Sequence, residues 1–378
     1  MTEFNPKRYD YIDALRGYAV AGVIAIHTPN LVPHVPLPIV WVATTAGQGV
    51  QLFFIVSALT LTMSWRKRAI NETHPARYFF IRRFFRIAPM FWIGILFYYS
   101  LAQFESPFWQ LRSIEISDVL ATLFFVHGWS PETINLVVPG GWTIAVEMMF
   151  YLLFPLLVTT VMTLRGAIFF FVGSCVMALA MNTVASAWYE ADPALLFPFI
   201  YEWLPNQLPI FALGFLLFYL IADTQYRAPR TAAIVIFSAG IGLLLALTAA
   251  SWRIPFFSTF PHPMIWKDLL AGAGFVAIAY SLANWPTSVF INRPIRYLGK
   301  VSFSAYLVHF LVIFVCLRVF GPSVLSGISA IAAYILLFLS VTLITAAISS
   351  VTYSAIEKPM IDRGNQIIES LENLRAVE

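Results

Sequence analysis

The sequence predicts an all-α polytopic membrane protein with about ten transmembrane helices and both termini cytoplasmic. Composition is the first reason. The chain has 378 residues, 60% of them hydrophobic and 11% charged, with a mean hydropathy of +0.78. Soluble domains carry about 25% charged residues, so the length is not read as two or three soluble domains. The second reason is the grouping of apolar residues into ten runs, near 12–31, 46–65, 84–103, 142–163, 166–185, 207–222, 231–250, 264–283, 301–319 and 327–353. The third is the sidedness of charge. With the N-terminus inside, 19 Lys and Arg fall on inner segments and 4 on outer ones, which accounts for all 23. Cationic loops stay cytoplasmic, and a missed span would scramble this separation.

Each run has its own signature. The first lacks a small-residue cleavage signal and contains His27, so it reads as a retained helix and not a signal peptide. The second ends in Arg66-Lys67-Arg68, and the third starts in the basic stretch RRFFR. The fourth opens on GGW. The sixth is short and follows Pro205 and Pro209, and the eighth holds Lys267 and Asp268. Segment 118–130, DVLATLFFVHGWS, is too short to span and reads as interfacial or re-entrant. The outer loops 104–141 and 186–206 carry ESPFWQ, HGWSPE, WYEADP and YEWLPNQ. These suit an interfacial aromatic belt or, alternatively, packing against sugar rings. The segment 354–378 reads as a short, polar cytoplasmic tail, and the helical core covers about 10–360 of a single domain, 1–378.

The first helix, YIDALRGYAVAGVIAIHTPN, places Asp13, Arg16 and His27 in an apolar segment. A charge at the centre of a membrane helix costs roughly 2.5–3.5 kcal/mol on insertion scales, so such groups face a protein interior or a wet cavity. Eleven steps of about 100° bring Arg16 and His27 onto one face, with a rise of about 16 Å between them. The plainer alternative is a snorkelling Arg and a hydrogen-bonded packing His. In the third span Arg83 and Arg86 are i, i+3 neighbours, with Arg82 pointing elsewhere. They are either topogenic anchors or a fork for phosphates, to which guanidinium is suited.

GGWTIAVEMMFYLLFP puts Glu147 about six residues into the fourth span, at a depth like that of His27. A buried carboxylate needs a partner. His27 is the most economical, with Arg16 and Tyr151 as alternatives. A Glu–imidazole pair orients the ring and raises its basicity, as a general base requires. Ser302, Tyr306 and His309 share one face of the ninth span. Gln48, Gln51 and Ser57 share a face of the second only loosely. Glu357 reads as structural, capping or pairing with basic inner loops. Cys175 and Cys316 sit in apolar runs and imply no disulfide framework. The six scattered His make a metal site unexpected, and no Walker, GxGxxG, GxSxG or HExxH motif is present. The net charge of +4 comes mostly from loops and speaks to topology rather than to nucleic acid.

Taken together, DALRGYAVAGVIAIH, GVQLFFIVSALTLT, RRFFRIAPMFW, GGWTIAVEMMFYLLFP, LGKVSFSAYLVHF and EKPM resemble, in order, the acyltransferase 3 family of integral membrane acyltransferases. That resemblance implies about ten helices and acylation of carbohydrate by a coenzyme A-linked donor, usually acetyl. It implies His27 as catalytic base, Glu147 as a required carboxylate, and Arg16, Arg83 and Arg86 as cations for the acyl donor. Asp13, Ser57, Trp142, Tyr151, Ser302, Tyr306 and His309 are expected to line the cavity, with Tyr306, Ser302 or Trp142 as oxyanion donors. Gln51 replaces the family's frequent Asp, and Ala58 its Gly, which puts the second span's role in question. Acyl-CoA is expected as a co-substrate, with no tightly bound cofactor and no metal. The expected partners are a glycan or lipid-linked sugar acceptor, the lipid bilayer, and a second copy or a glycan-assembly protein. The expected location is the bacterial inner membrane. A polytopic transporter of a small polar solute is the alternative, though no internal symmetry between halves is visible. A third possibility is a scaffold for glycan-assembly enzymes. The chain is too short for the extra hydrolase-like domain of some members, so it is expected to act alone or with a separate partner.

Overall fold

The computed structural model describes residues 9–32, 35–104, 112–188, 193–222, 228–253, 263–319 and 328–375, and every regular element among them is helical. Much of ESPFWQ and WYEADP, together with Lys7, Arg8 and Arg227, lies outside the described residues. The helices are α1 (Asp10–His27), α2 (Leu37–Ala46), α3 (Gly49–Arg68), α4 (Pro75–Phe104), α5 (Ile116–Leu123), α6 (Trp142–Thr160), α7 (Leu164–Trp188) and α8 (Pro193–Glu202). After these come α9 (Leu204–Ala222), α10 (Arg230–Arg253), α11 (Pro263–Asn284), α12 (Arg293–Lys300), α13 (Ser302–Val319), α14 (Ala330–Thr352) and α15 (Lys358–Arg375).

A long helix occupies each of the ten expected apolar runs. Eight helical stretches are long and apolar enough to cross a membrane. The other two, α1 and α11, are interrupted by Asp10, Asp13 and Arg16 and by Lys267 and Asp268. The outward faces of α7, α10 and α14 present Phe169, Val176, Val235, Leu245, Leu339 and Leu343. Such continuous apolar surface is what lipid contact selects.

The inner packing is aromatic. Phe150 stacks on Phe211 at 3.8 Å between ring centroids, and Phe79 stacks on Phe154 at 4.9 Å. Helix α1 lies against α3 and α12, α9 against α3 and α7, and α13 against α14. One end of the bundle is basic. There Arg66, at the end of α3, donates to Val161 O and to the Tyr219 hydroxyl, and Arg82 near the start of α4 forks onto both carboxylate oxygens of Glu72 at 2.7 and 3.0 Å.

Two segments outside the spans are more structured than composition alone shows. Segment 118–130 folds as α5 plus a short turn wedged between α4 and α6. Trp92 Nε1 donates to Leu123 O, Phe91 stacks on Phe125, and Gly128 sits against Ala145 and Met149 of α6. A capping box between Glu115 and Asp118 starts α5, and Arg112 pairs with Asp118 at 2.8 Å. That guanidinium holds the Asp118 carboxyl below the usual carboxylate range. The polar tail is also structured. A π turn, Tyr353–Glu357, leads into α15, which docks on α4 through Gly364 against Phe85. Glu372 then accepts from both Thr73 N and Thr73 Oγ1 at 3.0 Å. Composition hid this helix because its apolar face is narrow, little more than Gly364 and Ile368, and the rest of its surface is polar. Glu357 plays the expected structural part, accepting from the backbone N of Ser304 at 3.1 Å and from its hydroxyl, in the first turn of α13.

The approach of α12 to α1 depends on Gly299, where a Cβ would meet the backbone carbonyl of Asp13. Replacing Gly299 by Val therefore forces the two helices apart. An overpacking cost of about 1–3 kcal/mol is expected to lower the thermal unfolding midpoint in detergent. Gly173, inside α7, has open space around its Cβ position, so Gly173→Ala is expected to raise the midpoint slightly, through about 0.4–1 kcal/mol of helix propensity and chain entropy.

Candidate functional site

One cavity of about 80 Å³ lies inside the bundle, between α1, α3, α4, α6 and α13. Its polar lining is Arg16, Ser57, Thr60, Arg83, Arg86, Thr143, Glu147, Tyr151, Ser302 and Tyr306, and its apolar wall includes Phe53, Phe54 and Ile87. Three guanidiniums and one carboxylate thus face a common space. The helices explain how. Arg83 and Arg86 share the inward face of α4, while Arg82 turns away to Glu72, as the i, i+3 spacing predicts. Ser57 and Thr60 share a face of α3, and Glu147 and Tyr151 are one turn apart on α6.

The carboxylate of Glu147 is held by hydroxyls. Ser57 Oγ donates to Oε1 at 2.7 Å and Tyr151 OH donates to the same oxygen at 2.5 Å. Of the partners open to it on sequence, Tyr151 is the one that binds, joined by Ser57. Arg16 Nη2 donates to Thr60 Oγ1 at 3.1 Å. Arg83 lies 5.9 Å from the centre of the Tyr151 ring and 6.0 Å from that of Phe79, and its Nε is buried with no partner. Tyr151 meets Arg83 through a side-chain hydrogen bond as well as through its ring face, and the unpartnered Nε is the donor left for a ligand. The second span, despite Gln51 and Ala58, contributes directly. Ala58 packs against Gly214, Gln51 Nε2 donates to the Tyr201 hydroxyl at 3.1 Å, and Ser57 holds Glu147.

His27 is not beside Glu147. Its ring lies 4.5 Å from that of Phe310 and 5.5 Å from that of His309. Phe310 also packs against Gly140, seven residues before Glu147 on the chain. His27 is therefore about 10 Å further from the basic end than Glu147, at ~1.5 Å per residue. Equal depth failed as an expectation because residues were counted from helix ends, while α6 starts well inside the fold. Tyr306 connects the two levels. It lines the cavity, donates to Gly140 O at 3.1 Å, and lies 5.6 Å from the His309 ring. Gly140 adopts φ +75°, a conformation open to glycine. Its N–H binds Asn135 Oδ1 at 2.8 Å, and Asn135 in turn donates to Glu202.

Ser57, Tyr151, Ser302 and Tyr306 therefore line the cavity as expected, whereas Asp13, Trp142 and His309 do not. Asp13 lies at the α1–α12 contact, and Trp142 packs on Phe54 and Tyr201. Thr60, Thr143, Phe53 and Phe54 escaped sequence reading. A threonine in a helix ordinarily bonds its own backbone, as Thr60 does with Val56 O, and nothing in the pattern marks it as an Arg partner.

Apolar outward faces around a buried cationic cavity define a multi-pass membrane protein. The acyltransferase 3 profile, described as an acyltransferase domain, matches residues 9–353, and the chain belongs to that family. It is 25% identical over 331 residues to a putative O-acetyltransferase of Staphylococcus aureus strain COL, covering 82% of this chain and 52% of that protein. It is 26% identical over 328 residues to the acyltransferase MdmB of Streptomyces mycarofaciens, covering 81% and 79%. It is 29% identical over 168 residues to the peptidoglycan O-acetyltransferase OatA of Listeria monocytogenes, covering 41% and 25%. The chain thus spans between a quarter and about half the length of the OatA and S. aureus relatives. No solved structure matches.

Ser57→Ala and Tyr151→Phe each remove one donor from the partly buried Glu147 carboxylate. A hydrogen bond to a charged group contributes about 1.5–3 kcal/mol. Each variant is expected to unfold at lower temperature than the parent, and the double variant lower still. With Glu147→Gln as background, the Tyr151→Phe effect should shrink, because the charge it serves is gone. Thermal unfolding of the purified protein measures all three.

Proposed function

We propose that this membrane O-acyltransferase moves an acyl group, acetyl by preference, from acyl-CoA to a hydroxyl of a surface or exported glycan. The observation that carries the reading is the convergence of Arg16, Arg83 and Arg86 on one cavity inside an apolar bundle. Three cations against one carboxylate suit an anionic ligand, and coenzyme A supplies a pyrophosphate and a 3′-phosphate. The names of the relatives support the acetyl group and the oxygen acceptor. A full set of ten spans with cytoplasmic termini, in a bacterial inner membrane, is the topology that goes with this reading.

In this scheme the nucleotide stays at the basic end on Arg83 and Arg86, and the thin pantetheine arm runs past Glu147 toward Tyr306. The thioester then lies near the level of His27. A hydroxyl ionises far above neutral pH, so His27 takes its proton as the oxygen attacks the thioester carbonyl. The C–S bond breaks, and the leaving thiolate takes up the proton. Positioned proton transfer is worth typically 10²–10⁴-fold. Tyr306, between the two levels, is the donor suited to the developing oxyanion once its O–H turns from Gly140 O; Ser302, two turns below His309 on α13, stays at the level of the arginines. Trp142, turned toward Tyr201, is not such a donor. Glu147 acts as a fixed counter-charge to the arginines.

Replacing His27 by Ala or Gln is expected to abolish transfer without loss of expression or insertion; normal glycan acylation in a well-expressed variant would remove it from the mechanism. Arg83→Ala and Arg86→Ala are expected to weaken binding of acetyl-CoA by roughly tenfold to a hundredfold, from about 1.5–3 kcal/mol per charge-assisted bond. Lys replacements should restore only part of this, because an ammonium lacks the planar fork. Calorimetry with the purified protein reads these affinities. Sidedness is tested in sealed vesicles of known orientation, with labelled acetyl-CoA on the cytoplasmic side and acceptor glycan on the other. Acylation only when both share the cytoplasmic side would replace this scheme with an inward-facing transferase.

A further inference from the structure

A general base needs a third group to fix its ring, and Glu147 is in the wrong place to do this for His27. The structure offers His309. Its side chain is 0% exposed. Its Nδ1 lies 2.5 Å from the backbone carbonyl of Tyr306. A ring nitrogen facing a carbonyl oxygen must be the protonated one, so an uncharged His309 keeps its lone pair on Nε2. That Nε2 is buried and has no partner. A buried acceptor left unsatisfied costs about 1–3 kcal/mol. Because Nδ1 is turned back onto its own helix, Nε2 points away from it. The His27 ring lies 5.5 Å away, centroid to centroid. The rings are tilted by 35° and Nε2 takes no hydrogen bond from His27 here; a turn of the His27 ring that aims an N–H at Nε2 would close one of roughly 3 Å, since two ring radii fill the rest of the gap. Phe310 closes one side, with its ring 4.5 Å from that of His27 and 4.3 Å from that of His309.

We propose that His309 is the positioning residue of the transfer reaction: its Nε2 accepts the N–H of His27 and thereby holds the other His27 nitrogen as the free lone pair that takes the acceptor proton. The inference rests on the reading of His27 as base. With the His27 ring so turned, the relay runs from the Tyr306 carbonyl through His309 Nδ1–H and Nε2 to the His27 N–H, and then to the basic nitrogen. In the reaction the acceptor O–H bond breaks toward that nitrogen as the new C–O bond forms, and the proton leaves with the thiolate. His309 starts and ends uncharged. A carboxylate in this place would hold the imidazolium tightly, whereas a neutral acceptor fixes the tautomer and lets the proton go on to the leaving group. The arrangement also explains why Tyr306 belongs to the site twice, with its hydroxyl at Gly140 O and its carbonyl behind His309.

The test uses the full-length protein in liposomes, labelled with ¹⁵N-histidine. Six histidines are few enough to assign by subtraction, with His27→Gln and His309→Gln as references. The inference expects His309 to be protonated at Nδ1 and His27 to show a single tautomer. In His309→Phe the His27 signal should split between two tautomers, and in His309→Gln, whose side-chain carbonyl can accept, it should stay single. Transfer of label from [¹⁴C]acetyl-CoA to envelope glycan in native vesicles gives the second readout. His309→Phe should lower kcat by roughly 10²-fold with an unchanged KM for acetyl-CoA, and His309→Gln should recover most of it. An unaltered His27 signal in His309→Phe overturns the proposal, as does equal loss in the Phe and Gln variants. If the Phe variant fails to insert, the His27 signal of the Gln variant decides, and a mixed tautomer there overturns the proposal. Continued transfer by His27→Gln would instead overturn the reading of His27 itself, and this inference with it. A dead His27→Gln beside an unaffected His309→Phe overturns the inference alone.

Discussion

A guanidinium placed among apolar helices has to be met by acceptors, and here three of them meet in one space with a single carboxylate. The rest of the bundle follows from that constraint. Charged groups in a membrane interior are costly unless paired or hydrated, so α1, α3, α4, α6 and α13 turn their polar faces toward one another. Hydroxyls do much of the matching. Thr60 takes Arg16, while Ser57 and Tyr151 hold Glu147. The aromatic wall of Phe79 and Tyr151 supports Arg83 and leaves its Nε without a partner. The result is a cavity with surplus positive charge whose ionisable groups are held in place before any ligand arrives. An anionic donor would complete it.

The helices were legible because lipid imposes a strong compositional signal, and ionisable residues stand out against it. Arg16, Arg83, Arg86, Glu147 and Ser57 could be chosen from the sequence for that reason, and they do converge. Their pairing was not legible. Rise along one helix is known from residue number, but the offset between two helices depends on tilt, on close approaches such as Gly299 on Asp13, and on where each helix begins inside the fold. That is why Glu147 and His27, which looked level, lie about 10 Å apart in depth. The helical tail was hidden for a different reason. Its docking relies on polar contacts at Thr73 and Glu372, and composition alone does not distinguish these from a solvated segment.

In the proposed transfer, the two levels of the site divide the work that a single catalytic cluster would otherwise do. The lower level gathers charge and has no imidazole. The upper level holds two imidazoles and a phenylalanine, with Tyr306 passing between the two. Gly140 ties this connection to Asn135 and, through it, to Glu202 at the end of α8. Separation of this kind suits a reaction whose two substrates differ sharply in charge and size.

The clip between Glu372 and Thr73 joins residues 299 positions apart. A chain emerging from a ribosome inserts its early helices long before α15 exists, and domains generally build from the N-terminal end during synthesis. The first turns of α4, just ahead of Arg83 and Arg86, are therefore without this brace until α15 has been made. The arginine face takes that support only after α13 and α14 have been threaded, so a chain stalled ahead of α15 would sit in the membrane with its cationic face unbraced.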